Sequence, residues 1–127
     1  MELVAIVAAI ALFEYMTFVW RAGKARGEAG VPAPAMSGHP NFERHVRVQE
    51  NTVEQLVIFL PALFLFAIHA SEIGAAALGV VFIFGRAIYA YAYVHDPAKR
   101  GPGFALTLGA NVILVVGTIV GATIGLF

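Results

Sequence analysis

Apolar residues fill four long stretches of the chain, and polar residues collect in the gaps between them. Leu3 to Trp20 carries one charge, Glu14, in 18 residues, which is long enough to cross a bilayer as a helix. It lacks a basic lead and a small-residue cleavage pattern, so it reads as a retained span and not a signal peptide. Residues 21–41 contain Gly23, Gly27, Gly30, Pro32, Pro34, Gly38 and Pro40 and read as a loop. A second helix is predicted over 42–70, with Asn41 as its N-cap, two polar turns, and then an apolar run kinked at Pro61. Ala70-Ser71-Glu72 makes a tight turn, so the third helix, 73–94, lies antiparallel to the second. His95 to Gly103 is a second loop, and a fourth span over 104–126 has no charged residue. The pattern predicts one all-α domain, residues 1–127: an integral membrane four-helix bundle of up-down topology.

Composition agrees with that solvent. The chain is 60% apolar and 13% charged, with a mean hydropathy of +0.82, where soluble domains are about half apolar and about a quarter charged. A net charge of zero argues against a nucleic-acid partner, which would require a basic face. The absence of cysteine removes disulfides, thiolate metal sites and a protein thiol nucleophile. Residues 21–47 hold five Lys and Arg and residues 95–103 hold two, whereas the 71–72 turn and both ends of the chain hold none. The positive-inside rule then predicts that loops 21–41 and 95–103 are cytoplasmic and that both termini lie on the other side.

The 16 charges are not spread evenly, because 13 of them fall within residues 21–54 and 86–100. Arg47, Asn51 and Glu54 recur at i, i+4 and i+7 at the polar start of the second helix, with Glu50 on the flank. One reading is an intrahelical network of Arg47 with Glu50 or Asn51 that ends the helix at the headgroups. The other turns Glu54 toward the bundle interior and a cation, since a carboxylate facing lipid is costly. Arg86, Tyr89 and Tyr93 share a stripe of the third helix. Arg86 lies about 12 Å from the helix end, at 1.5 Å per residue, too deep to snorkel, and should point inward. Tyr91 fits an interfacial aromatic belt. Arg47, Arg86 and Arg100 would converge on a pocket with Glu50 and Glu54 as its anions, suited to a ligand with several carboxylates and an amine. Glu14 reads equally as a partner of Arg86 or of tyrosines, or as a proton-coupling group. His45 and His95 lack ligand spacing, so no metal is assigned, and His69 reads as structural. Gly117, Gly121 and Gly125 form a small-residue ladder expected to make a helix contact, within or between subunits.

Glu43-Arg44-x-x-Arg47-x-x-x-Asn51-x-x-Glu54, Arg86-x-x-Tyr89-x-x-x-Tyr93 and the four-span layout with a long first loop together resemble the membrane-associated proteins in eicosanoid and glutathione metabolism, the MAPEG family. The resemblance covers most of the chain and is strongest to a bacterial branch, which would place the protein in the inner membrane. It implies a homotrimer, glutathione as co-substrate held between subunits near the cytoplasmic face, and a lipophilic substrate entering from the membrane lipid. By resemblance to the leukotriene-forming synthase, Arg47, Gln49, Asn51, Glu54, Tyr89 and Tyr93 line the glutathione site, and Arg100 matches the arginine that stabilises the thiolate. Gln55 stands where that enzyme has a further tyrosine. Arg86 is expected to hold a glutathione carboxylate beside Arg47, while Glu54 meets the amine. The function implied is a glutathione-dependent membrane transferase or peroxidase acting on lipophilic electrophiles or lipid hydroperoxides. Two alternatives stand beside it: a non-catalytic lipid-binding member of the same family, and a small proton-coupled transporter using Glu14.

Overall fold

A computed structural model describes residues 1–127. The chain is all-helical, with α1 Glu2–Ala29, α2 Pro40–His69, α3 Glu72–His95 and α4 Gly101–Gly125. A 3₁₀ turn, Pro97–Lys99, joins α3 to α4. All four helices are long and apolar enough to cross a membrane, which makes the chain a multi-pass integral membrane protein.

The helix boundaries differ from the sequence expectation in instructive places. α1 does not stop at Trp20 but continues for nine residues, through nearly half of the expected first loop. Ala22 and Ala25 are buried on one face of this extension, where Ala25 packs with Phe42 and Val46 of α2. The outer face is polar, with Lys24 and Glu28 4.0 Å apart at i,i+4. Gly23 and Gly27 sit within the helix, and the terminator is Gly30, which adopts the left-handed conformation at φ 69° and caps Arg26 and Gly27. The loop therefore shrinks to 30–39. α2 starts earlier than expected, at Pro40, because proline suits a first helical turn that needs no N–H. The N-cap is His39 and not Asn41: the His39 Nδ1 accepts from the Asn41 N–H at 3.2 Å. Ser71 caps α3 through its Oγ, which accepts from the Gly74 N–H at 2.9 Å. α4 begins at Gly101, inside the expected second loop, again with a proline, Pro102, in its first turn.

The interior is built from small and aromatic side chains. Val4, Ala8 and Ala11 of α1 pack on Leu56, Phe59 and Leu63 of α2. Phe59 stacks on Phe82 of α3 with ring centroids 3.8 Å apart. Only 31 of 127 residues are buried, and large apolar side chains such as Phe13, Val57, Phe84 and Ile124 point outward. In a bundle whose solvent is hydrocarbon, that outward face is at home.

Close helix approach depends on glycine at particular positions. A Cβ on Gly117 would enter the Phe66 ring, and one on Gly121 would strike the His69 carbonyl. These two rungs of the small-residue ladder therefore seat α4 on α2 within the subunit. Gly125 faces open space and takes no part in that contact. Another close backbone approach joins α4 to α3: a Cβ on Gly103 would collide with the Tyr89 backbone. Gly103→Ala should lower stability by about 1–3 kcal/mol, because the obstacle is backbone and cannot rotate away. Gly109→Ala, on the same helix but facing open space, should not lower it. Thermal midpoints of the two variants in one detergent separate these outcomes, and equal shifts would contradict the packing described.

Candidate functional site

The polar stripe at the start of α2 straddles the edge where that helix leaves the bundle. Arg47 Nη1 lies 3.6 Å from Glu50 Oε2 and 3.5 Å from Glu54 Oε1, so one guanidinium serves two acids of its own helix. The pairing with Glu50 is one the helical spacing anticipates. Glu54 does not turn into the interior: its side chain is 60% exposed and that of Arg47 is 47% exposed. Both point to the lateral surface of the subunit. Asn51, between them in sequence, is buried and points inward. Gln49 is partly exposed on the same helix.

Arg86 points inward, as its depth requires, and is fully buried. Its Nε donates to Thr107 Oγ1 of α4 at 2.9 Å, and its Nη1 donates to Asn51 Oδ1 at 2.7 Å and to Thr52 Oγ1 at 3.3 Å, both on α2. The two threonines can accept these bonds because their own protons go to carbonyls one turn back, Val48 O at 2.7 Å and Gly103 O at 3.1 Å. The guanidinium carbon also sits 4.3 Å from the centre of the Tyr89 ring. Its bonded donors, Nε and Nη1, are directed at protein oxygens within the subunit. Arg86 ties three helices together and fixes the orientation of Asn51 and Tyr89. Its Nη2 and the Glu14 Oε1 are both buried without a hydrogen-bond partner. Glu14 makes no hydrogen bond or ion pair with Arg86 or with a tyrosine.

Tyr89 is buried and stacks on the partly exposed Tyr93 with ring centroids 5.6 Å apart. The antiparallel order of the helices brings Arg47, near the start of α2, and Arg100, in the α3–α4 connection, to the end of the bundle where Tyr89 and Tyr93 lie. Arg100 is exposed, and its Nη1 donates to Pro97 O at 2.9 Å. Arg44 fastens the same end by donating to Val94 O at 3.1 Å. Three polar partners escaped the sequence reading. Thr52 and Thr107 complete the Arg86 network, and Asn111 Nδ2 donates to Gln55 Oε1 at 3.0 Å. The available signal was Thr107 and Asn111 at i,i+4 in an otherwise apolar span, because hydrogen-bonding side chains within a membrane helix seek partners on other helices. None of the eight expected site residues lines the cavity of about 420 Å³ between α1, α2 and α3. Arg47 and Glu54 are exposed and Tyr93 is half-buried.

The sequence pattern of the MAPEG family matches residues 4–120. An uncharacterized protein of Synechocystis is 46% identical over 115 residues, 91% of this chain and 84% of that protein. Microsomal glutathione S-transferase 2 of Homo sapiens is 38% identical over 120 residues, 94% of this chain and 80% of that protein. Leukotriene C4 synthase of Cavia porcellus is 31% identical over 97 residues, 76% of this chain and 65% of that protein.

Proposed function

Because the chain belongs to the MAPEG family, we propose that it binds glutathione and activates its thiol against lipophilic substrates, as a membrane transferase or peroxidase. The observation that carries this reading is the grouping of Arg47, Glu50, Glu54, Tyr93 and Arg100 at one end of the bundle, around a Tyr89 held by the Arg86 network. Glutathione carries two carboxylates and one ammonium. Arg47 already holds carboxylates in place, so a ligand carboxylate can replace Glu50 on it while Glu54 meets the ammonium. With Arg47 and Glu54 exposed, a bound tripeptide is left half in solvent. A second subunit against that surface would enclose it, which is why we favour the homotrimer with glutathione between subunits.

A thiol with the ordinary pKa of about 8.5 is only about 3% ionised at pH 7. A guanidinium beside the sulfur that lowers the pKa by about two units stabilises the thiolate by about 2.7 kcal/mol and ionises roughly three quarters of it. We assign that role to Arg100, which precedes α4, where helix N–H groups also favour negative charge. In conjugation the thiolate attacks the electrophilic carbon, a C–S bond forms, and the electron pair leaves with the departing group or the opened ring. With a hydroperoxide the sulfur attacks the terminal oxygen, the O–O bond breaks, and the alcohol leaves after protonation. A second glutathione then converts the resulting sulfenic acid to disulfide and water.

Arg100→Ala should lower turnover with a lipophilic electrophile about 25-fold at pH 7, the ratio of the two thiolate fractions, and change glutathione affinity little. Steady-state conjugation assays beside equilibrium binding check this split. Unchanged turnover would remove Arg100 from the chemistry. Glutathione binding without turnover in the wild type would favour a non-catalytic, lipid-binding protein.

A further inference from the structure

A cavity of about 420 Å³ forms a groove at the same end of the bundle as loop 30–39, between the extension of α1, the start of α2 and the end of α3. Its floor is apolar, from Phe18, Val48 and Val94. Its rim is cationic or protonatable, from Arg21, Lys24, His45 and His95. We propose that this groove is a binding site for an anionic phospholipid, with the headgroup phosphate on Arg21 and Lys24 and the glycerol end of an acyl chain on the apolar floor. This inference stands apart from the glutathione reading, since the groove shares no residue with that site.

Charge is the first support. Arg21 has no acidic or hydrogen-bonding partner in the chain, and Glu28, the one acid of the lining, is 4.0 Å from Lys24. The rim therefore keeps an excess of positive charge, complementary to an outside anion. Both imidazoles are fixed by backbone carbonyls: His45 Nδ1 lies 2.9 Å from Asn41 O and His95 Nδ1 lies 2.8 Å from Tyr91 O. A carbonyl can only accept, so each Nδ1 carries the proton and each Nε2 is left for another partner. Position is the second support. Trp20 precedes Arg21 and Val94 precedes His95, so on two helices the apolar span gives way to polar residues at the groove. A tryptophan followed by cations marks the depth of lipid headgroups. The volume also falls within the range of small-molecule sites. A free phosphate would satisfy the rim and leave the floor empty, whereas a phospholipid satisfies both.

The chain contains one tryptophan, Trp20, and it lines the groove 5.5 Å from Lys24 Nζ. The full-length protein in phosphatidylcholine vesicles, with increasing phosphatidylglycerol brominated on its acyl chains, therefore reports occupancy as quenching of Trp20. Quenching should saturate at a much lower mole fraction of brominated phosphatidylglycerol than of brominated phosphatidylcholine. Each of Arg21→Gln and Lys24→Gln should raise the half-saturation point about fivefold, and the double variant should erase the preference. Lys99→Gln, which removes a cation near the same end but outside the groove, should leave it unchanged. The site is overturned if the two lipids quench alike, or if Lys99→Gln shifts the curve as much as Arg21→Gln. Loss of the preference on adding inorganic phosphate to the wild type would reassign the groove to a free anion and overturn the lipid.

Discussion

Arg86→Ala should destabilise the bundle by about 3–5 kcal/mol, more than Gly103→Ala does. Arg86 has exchanged solvent for protein oxygens: Thr107, Asn51 and Thr52 accept its donors from two neighbouring helices. Truncation strands Asn51 Oδ1 without a donor and opens a void beside Tyr89. Breaking a buried charged network by removing one partner costs about that much, because the groups left behind remain desolvated. Arg86→Met, which keeps most of the volume, should cost less than Arg86→Ala. Equilibrium unfolding in mild detergent checks both values, and an Arg86→Ala protein as stable as the wild type would show that the network is not structural. Glutathione affinity should fall with stability in Arg86→Ala, since Asn51 and Tyr89 lose their anchor.

Arg47→Ala makes the opposite prediction, a large loss of binding with little loss of stability. Its partners Glu50 and Glu54 are exposed, so the folded chain loses only solvent-screened ion pairs. A ligand carboxylate half enclosed between subunits loses a charge-assisted bond worth about 2–3 kcal/mol, or about 30- to 150-fold in Kd. Isothermal titration with glutathione measures the change. Unchanged affinity would place the ligand elsewhere, and a matching collapse in stability would mean that Arg47 holds the fold and not the ligand.

The sequence announces its charged chemistry more clearly than its neutral chemistry. Four spans are readable because hydrocarbon solvent imposes long apolar runs, and Arg86 is readable as an inward residue because its depth leaves a cation no other choice. The extension of α1 is not readable from glycine and charge alone. What makes it helical is the burial of Ala22 and Ala25 against α2, a tertiary contact whose small residues give a weak periodic signal. Thr52 and Thr107 are harder to read for a related reason, because a neutral side chain in a membrane helix gives a weaker signal than the buried guanidinium it serves. Gly103 resembles the other glycines of α4 in sequence, and only the backbone of Tyr89 behind it separates its role from that of Gly109. For the site itself, the spacing of Arg47, Asn51 and Glu54 suggests one inward face, whereas the folded helix divides them between interior and surface.

Ultraviolet absorbance of the glutathione thiolate, titrated with the purified protein at neutral pH, reads binding and activation together and so bears on both halves of the proposed function at once. The wild type should give a thiolate signal that rises to saturation. That signal should disappear with Arg47→Ala and shrink at full occupancy with Arg100→Ala. A signal no larger than that of free glutathione, at protein concentrations that saturate binding, would contradict thiol activation by this protein.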